Sequence, residues 1–173
     1  RAARLVIAIS QATADDLQRH YKVPAAKLRV VRHGCDPAFR PVDDRGEQTR
    51  VRELYGLPLD RPYILYVGTL QPRKNLGRLV EAYAAGRQAH RLGQPEPVLV
   101  LAGKRGWLYE SLFAQVQALG LEESVLFPDY VAQEDLPTLI SGAAAFALPS
   151  LYEGFGMPAL EAMACGTPLV AAN

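Results

Sequence analysis

The stretch PSLYEGFGMPALEAMACGTPLV, residues 149–170, decides the fold of this chain, because it joins one apolar strand to the next. The run before it, AAAFAL (143–148), is typical of a strand that is covered on both faces of a parallel sheet. Pro158 suits the first turn of a helix, where its missing N–H costs no hydrogen bond. Gly166 and Pro168 end that helix before the apolar LVAA run. The stretch therefore predicts strand, loop, helix and strand.

The loop of this unit has the features of an anion site. Gly154 and Gly156 flank Phe155, so the backbone can turn sharply and approach a ligand without interference from Cβ atoms. The free N–H groups of Phe155, Gly156 and Met157 would point out of the N-terminus of the helix, where the helix dipole favours negative charge.

Two carboxylates frame the loop. Glu153 precedes the glycines, and Glu161 follows with seven residues between the two. An ionised carboxylate accepts two hydrogen bonds side by side, which suits the neighbouring hydroxyls of a sugar or ribose. By spacing alone, Glu153 could equally be a solvated loop residue, and Glu161 could simply complement the helix dipole.

The stretch closely resembles the donor-site signature of retaining, nucleotide-sugar-dependent glycosyltransferases of family four (glycosyl transferases group 1). Members of that family have two Rossmann-like domains. The resemblance implies that Glu153 reaches the transferred sugar and that Glu161 reaches the ribose. It also implies that the residues between them lie against the sugar and the diphosphate: Gly154, Phe155, Gly156 and Met157.

A second loop, GTLQPRKN, follows the predicted strand YILYV (63–67). Ligands of open α/β sheets bind at the carboxyl ends of such strands. Arg73 and Lys74 stand together there and could neutralise a departing diphosphate without a metal ion, or they could be a solvated basic pair. Many relatives have an Arg directly after the glycine of this loop and a Lys five residues later. Here Thr69 follows Gly68, Lys74 takes the second position, and we infer that Arg73 supplies the other positive charge.

Two further positions are assigned by resemblance. The strand VLVLA (98–102) ends at Gly103, where relatives have a similar glycine beside the nucleotide. In relatives the backbone at the position of Tyr130 and Val131 contacts the base. The segment at Gly103 is not a P-loop, since no glycine stands five residues before it.

Repeated strand–helix units predict an α/β fold, an open, doubly wound, parallel sheet that is Rossmann-like. By resemblance it is part of a two-domain glycosyltransferase B-type fold. We expect residues 1–45 to be the trailing edge of the N-terminal acceptor domain with the interdomain segment. Residues 46–173 would be the nucleotide-sugar-binding domain, truncated at its C-terminal end. The chain would then be a fragment that binds nucleotide but by itself transfers sugar poorly or not at all.

Several local predictions can be checked against a structure. Thr13 and Asp16 have the spacing of a capping box for the first helix. The polar run 41–49 is typical of an exposed linker. An amphipathic helix is predicted over 107–119, with inward-facing apolar residues and with Trp107 as a packing residue. Those inward residues are Leu108, Leu112, Phe113, Val116 and Leu119.

Composition excludes several classes of protein. The chain has 173 residues, of which 49% are hydrophobic, and a formal net charge of +1, so it lacks the basic surface of a nucleic-acid-binding protein. No apolar run approaches the length of a membrane span, and the first residues do not resemble a signal peptide, so a cytoplasmic location is expected. Cys35 and Cys165 have no CxxC partner, and the histidines lack metal-ligand spacing, so neither a disulfide nor a metal site is expected.

The expected function is transfer of a sugar from a nucleotide-diphosphate donor to an acceptor hydroxyl, with no cofactor. GDP-mannose is the preferred donor, from similarity to bacterial mannosyltransferases of polysaccharide biosynthesis. The expected partners are the donor, a carbohydrate or lipid-linked acceptor and the N-terminal domain, and family analogy leaves peripheral membrane association open. A dinucleotide-dependent oxidoreductase is disfavoured, because no G-x-G-x-x-G follows Val67 or Ala102. A non-catalytic nucleotide-binding or interaction module on the same fold is the alternative.

Overall fold

The computed structural model describes residues 3–107 and 109–172. Its strands are β1 (Val6–Ala8), β2 (Leu28–Val30), β3 (Tyr63–Val67), β4 (Val98–Ala102), β5 (Val125–Leu126), β6 (Ala145–Leu148) and β7 (Leu169–Ala171). Its α-helices are α1 (Gln11–Tyr21), α2 (Arg45–Leu54), α3 (Leu76–Gln88), α4 (Glu110–Ala118), α5 (Leu136–Ser141) and α6 (Met157–Ala164). Short 3-10 helices span Ala25–Lys27 and Pro72–Lys74.

The strands form two parallel sheets. β1 pairs with β2, and the larger sheet has the order β5-β4-β3-β6-β7 with every pair parallel. The chain moves outward from β3 through β4 to β5, and it then returns to the other side of β3 to form β6 and β7. The strand order therefore reverses at β3, and the carboxyl ends of the strands at such a reversal are the usual ligand site of open parallel sheets. The predicted doubly wound parallel sheet is confirmed.

The core lies between the larger sheet and the helices that cover it. All five residues of β4 are buried, as a strand covered on both faces requires. α3 faces this core through Leu76, Val80 and Tyr83, which are buried. The phenol of Tyr83 donates a hydrogen bond to the carbonyl of Pro97 (2.7 Å), so its one polar atom is satisfied inside the core.

The predicted capping box of α1 is wrong. Ser10 is the N-cap, and its hydroxyl oxygen accepts a hydrogen bond from the backbone N–H of Thr13 (3.0 Å). Asp16 lies inside the helix, and its carboxylate is turned to another element, described below. Because Ser10 rather than Thr13 is the N-cap, α1 begins three residues earlier than the capping box of Thr13 and Asp16 predicts.

The exposed linker predicted over 41–49 is shorter than expected. Asp44 caps α2 by accepting a hydrogen bond from the N–H of Glu47 (3.1 Å), so the helix already begins at Arg45. α2 packs on α5 through Val51, which is 1% exposed. Its Arg50 forms an ion pair with the buried carboxylate of Asp135 (2.5 Å). A charged sequence therefore forms a docked helix, because its few apolar and paired residues fall on one face.

α4 is shorter than the predicted helix 107–119. Leu112 and Val116 are buried as predicted, but Leu119 is 44% exposed. Trp107 is 62% exposed, so its prediction as a packing residue is wrong. Leu108, which was also predicted to face inward, lies outside the described residues.

Candidate functional site

The loops after β3 and β6 bring together residues that are far apart in sequence. Arg73 and Lys74 end the 3-10 helix after β3, and Glu153 lies in the loop after β6. The amide of Leu151 donates to the carbonyl of Arg73 (3.0 Å), and the side-chain amide of Asn75 donates to the carbonyl of Pro149 (3.2 Å). These bonds fix the two loops to each other at the point where the strand order reverses.

Glu153 is the centre of a charged cluster. Its carboxylate accepts hydrogen bonds from Lys74 Nζ (2.5 Å), Ser150 Oγ (2.6 Å) and Arg73 Nη1 (3.1 Å). Burial by itself raises the pKa of Glu153, but the hydrogen bonds from Lys74, Ser150 and Arg73 outweigh it, and the net pKa lies below the ordinary value. The carboxylate is therefore ionised at neutral pH. Lys74 is only 9% exposed, so its ammonium group interacts with this cluster rather than with solvent.

Glu161 lies in a different environment, on α6. It is partly buried and lies close enough to Asp36 that the two charges repel. Burial first, and Asp36 second, raise the pKa of the Glu161 carboxyl. Within residues 3–107 and 109–172, no group forms a hydrogen bond or an ion pair with this carboxylate. The two glutamates of the motif are therefore not equivalent, since Glu153 is neutralised by cations whereas Glu161 has its hydrogen-bonding capacity free.

The backbone between the glutamates has the predicted helix mouth. Gly156 is the N-cap of α6 with φ 88° and ψ 45°, a left-handed conformation that suits glycine. In the described part of the chain, the N–H groups of Phe155, Gly156 and Met157 donate to no protein acceptor. The ring of Phe155 packs edge-on against His33, with ring centroids 5.4 Å apart. The loop therefore presents unpaired amides at a helix N-terminus, as an anion site does.

A cleft of about 210 Å³ lies beside this cluster, at the carboxyl ends of β3 and β4. It contains the remaining predicted positions, and Lys104 Nζ lies 5.2 Å from the centre of the Tyr130 ring at its edge. Val131 is buried, whereas Tyr130 is 60% exposed and can meet a ligand. The cleft is lined by Val67, Gly68, Thr69, Ala102, Gly103, Lys104, Tyr130, Val131, Gln133 and Leu136.

Gly103 closes the floor of the cleft because it has no side chain. A Cβ atom at this position would lie 2.1 Å from the carbonyl oxygen of Gly68, and the φ of Gly103 is +142°. The N–H of Gly103 donates to the carbonyl of Asp129 (2.6 Å), and the N–H of Gly68 donates to the carbonyl of Ala102 (2.9 Å). The two glycine turns therefore pack backbone to backbone, which a larger residue would prevent.

Sequence reasoning missed two side chains of the site. Ser150 donates to Glu153, but a serine after Pro149 at a strand end is an ordinary loop residue and gives no separate signal. Lys104 lies against Tyr130, and its only signal is its place directly after the strand-ending glycine. Thr69, by contrast, was predicted and lies at the cleft, but it brings no positive charge there.

In the two described ranges, no group of three or more His, Cys, Asp and Glu residues is arranged to hold a metal ion. Nor does any helix described here combine the length and the apolar character that crossing a bilayer requires. The cytoplasmic location stays a prediction.

Comparison with known families names the class of protein to which this fold belongs. The sequence model of the family described as "Glycosyl transferases group 1" matches residues 47–173, and that of "Glycosyltransferase Family 4" matches residues 1–39. The chain belongs to the glycosyl transferases group 1 family. The resemblance carried by the loop from Glu153 to Glu161 is confirmed.

Individual relatives agree with this assignment. The chain is 36% identical to O-antigen chain mannosyltransferase B of Escherichia coli over 99% of its length and 44% of the relative. It is 37% identical to D-inositol 3-phosphate glycosyltransferase of Salinispora arenicola, over 96% of this chain and 39% of the relative. Among solved structures, Anabaena Alr3699/HepE in complex with UDP and glucose matches with a TM-score of 0.83 at 28% identity, over 97% of this chain and 44% of that one. The expected glycosyltransferase fold is confirmed, and the chain spans less than half the length of these relatives.

Proposed function

We propose that this chain binds the donor for a retaining glycosyltransferase, which moves a sugar from a nucleotide diphosphate to an acceptor hydroxyl. The observation that carries the proposal is the cluster of Glu153 with Lys74 and Arg73. It stands where the strand order reverses, in a chain that belongs to a glycosyltransferase family. Its two cations and one ionised carboxylate match the two parts of such a donor, a dianionic diphosphate and a polyhydroxylated sugar.

Lys74 and Arg73 are assigned to the leaving diphosphate. Two cations beside the unpaired amides at the start of α6 stabilise negative charge as the bond to the sugar breaks, without a metal ion. A phosphate that accepts hydrogen bonds from these cations also releases part of the Glu153 carboxylate. That carboxylate can then accept from sugar hydroxyls, which is the role proposed for it.

The remaining positions are assigned to the nucleoside. Glu161 has a free carboxylate and can take the two neighbouring ribose hydroxyls side by side. The cleft next to the cluster suits the base, with Gly68 and Gly103 as its floor and the backbone of Tyr130 and Val131 at its side. Burial and Asp36 raise the pKa of this carboxyl, and hydrogen bonds from ribose hydroxyls would stabilise its ionised form.

In the transfer itself, the bond between the sugar C1 and the leaving phosphate oxygen breaks, and a bond from C1 to the acceptor oxygen forms on the same face. Because the acceptor oxygen enters on the face from which the phosphate leaves, the sugar keeps its configuration. The proton of the acceptor hydroxyl passes to the leaving phosphate. Most of the rate enhancement in this scheme comes from positioning and charge stabilisation. The acceptor is proposed to be a carbohydrate or a lipid-linked sugar.

GDP-mannose is the first donor to test, because the relative from Escherichia coli is a mannosyltransferase. UDP-sugars are the second, because the Anabaena structure contains UDP and glucose. With either donor, the enzyme is proposed to act in polysaccharide biosynthesis.

Isothermal titration calorimetry with UDP, GDP and ADP tests the proposal. Selective binding of one nucleotide is expected, weakened about tenfold or more by Glu161→Ala through loss of charge-assisted hydrogen bonds. Glu123→Ala, which removes an exposed glutamate, is the matched control and should leave the affinity unchanged. If a folded full-length protein binds none of the three nucleotides, the proposal fails and a non-catalytic module on the same fold is favoured instead.

A further inference from the structure

We infer that Ser10, the N-cap of α1, and Thr13 and Asp16, in its first two turns, are positioning residues that hold the loop carrying Glu153. The inference rests on the proposed role of Glu153 at the donor sugar. These three residues lie far from residues 152–154 in sequence, and none of them belongs to the cluster of Glu153 with Lys74 and Arg73. Their contacts with the loop are polar, short and concentrated on the two residues beside Glu153.

The first contact is made to the carbonyl of Gly154. Ser10 Oγ donates to this oxygen at 2.5 Å, and Thr13 Oγ1 donates to it at 3.2 Å. A carbonyl oxygen has two lone pairs, so it can accept from both hydroxyls at once. Ser10 also accepts from the N–H of Thr13, so the same hydroxyl caps α1 and reaches the loop. The carbonyl of Gly154 is therefore held by two hydroxyl groups at the start of a helix.

The second contact is made on the other side of Glu153. The phenol of Tyr152 donates to the carboxylate of Asp16 at 2.6 Å. The carbonyl of the same tyrosine accepts a hydrogen bond from Arg73, which also reaches Glu153. Tyr152 is therefore anchored by its side chain to α1 and by its backbone to the cation beside Glu153.

Together these contacts place Glu153 between two anchored neighbours. Residues 152 and 154 are held by Ser10, Thr13 and Asp16, whereas the carboxylate of Glu153 itself is bound by Lys74, Ser150 and Arg73. A group that must meet a substrate hydroxyl has to be held within about 0.5 Å of its working position. Displacement by about 1 Å costs on the order of 100-fold in rate. The hydroxyls of Ser10 and Thr13 supply this constraint, since the loop itself is neither helix nor strand.

The test uses the full-length protein with Ser10→Ala and Thr13→Val combined. Hydrolytic release of nucleoside diphosphate from GDP-mannose and from UDP-glucose, with water as the acceptor of the sugar, gives kcat and KM. Calorimetry with GDP and UDP gives Kd. We expect kcat to fall about tenfold or more, because the sugar contact is misplaced. The Kd of the free nucleoside diphosphate should change less than about threefold, because Lys74 and Arg73 are retained. Ser10→Thr in place of Ser10→Ala keeps the hydroxyl and should restore most of the lost kcat.

Two further variants separate positioning from folding. Thr49→Val removes an exposed hydroxyl that bonds to Arg45 O on α2, and it should leave kcat unchanged. Tyr152→Phe removes a single oxygen, and it should lower kcat about threefold or more without moving the urea midpoint.

The inference is overturned if kcat stays within about twofold of wild type in both test variants. It is also overturned if the combined Ser10→Ala and Thr13→Val variant loses kcat, nucleotide binding and its folded structure together, while Tyr152→Phe keeps the kcat of the wild type. A wild-type protein that binds neither GDP nor UDP refutes the proposed function instead, so the two failures are distinguishable.

Discussion

Replacement of Lys74 by methionine is the most informative single perturbation of the cluster. The side chains of Lys74 and Glu153 are 11% and 22% exposed, and Lys74 Nζ lies 2.5 Å from Glu153 Oε1. Methionine keeps most of the volume and removes only the charge and the hydrogen bond. The Glu153 carboxylate then retains Ser150 and the more exposed Arg73 as partners.

The expected loss of stability lies between two limits. Removing one partner of a fully buried ion pair costs about 3–5 kcal/mol, whereas exposed pairs contribute about 0–1 kcal/mol. Because Glu153 is partly exposed and keeps other donors, we expect the free energy of unfolding at pH 7 to fall by about 2 kcal/mol.

The loss of stability in Lys74→Met should become smaller as the pH falls. The pKa of Glu153 is lowered in the folded state, so the ionised carboxylate adds stability above its unfolded pKa of about 4.3. That contribution is lost as the pH falls through the folded pKa. The difference between wild type and Lys74→Met should therefore be constant near neutral pH and narrow below about pH 4.3.

Urea unfolding followed by circular dichroism between pH 7 and about pH 3.5 measures this difference. Arg78→Met is the matched control, since it breaks the exposed pair with Glu81 (76% and 52% exposed) and should cost less than about 0.5 kcal/mol. The assignment of a partly buried ion pair between Lys74 and Glu153 would be refuted by either of two results. In the first, Lys74→Met lowers the free energy of unfolding no more than the control does. In the second, the loss caused by Lys74→Met does not become smaller at acidic pH. In the same variant the affinity for the bound nucleoside diphosphate should fall about tenfold or more, and an unchanged Kd would remove Lys74 from the diphosphate site.

Two other predictions follow from the burial of Glu161 and from the contact of Gly103. The folded pKa of Glu161 is raised, so its ionised form lowers stability as the pH rises above the unfolded value, and Glu161→Gln should raise the Tm at pH 7 while it weakens nucleotide binding. A Tm lowered by this change, measured by thermal unfolding with calorimetric titration alongside, would contradict the burial of a charge. Gly103→Ala should lower stability by about 3 kcal/mol or more or prevent soluble expression, since its Cβ would meet the Gly68 carbonyl at 2.1 Å. Gly34→Ala, where no heavy atom lies within 4 Å of the added Cβ, is the control, and equal urea midpoints for the two variants would show that the close approach is not required.

The sequence by itself determined the fold class and the place of the site along the chain. Apolar runs between turn residues predict the strands, and β4 was predicted with its observed bounds because every one of its residues is apolar and buried. The glycine loop and the spacing of Glu153 and Glu161 were sufficient to recognise the family. These features are local, so they can be read from neighbouring residues. Helix bounds were less accurate, as α1 and α2 show, because caps such as Ser10 and Asp44 depend on which hydroxyl or carboxylate reaches an N–H.

Only the tertiary structure decided which residues meet. The order β5-β4-β3-β6-β7 brings Lys74 beside Glu153, although the two residues are 79 positions apart in sequence. No local pattern in the sequence predicts that contact. The structure also separated the two glutamates, since burial and Asp36 act on Glu161 whereas cations act on Glu153. The contact of Ser10 with Gly154 spans 144 positions. Such contacts follow from the strand order and from the packing of α1 against the loop that contains Glu153. Both are determined by the packing of the whole chain rather than by any one segment.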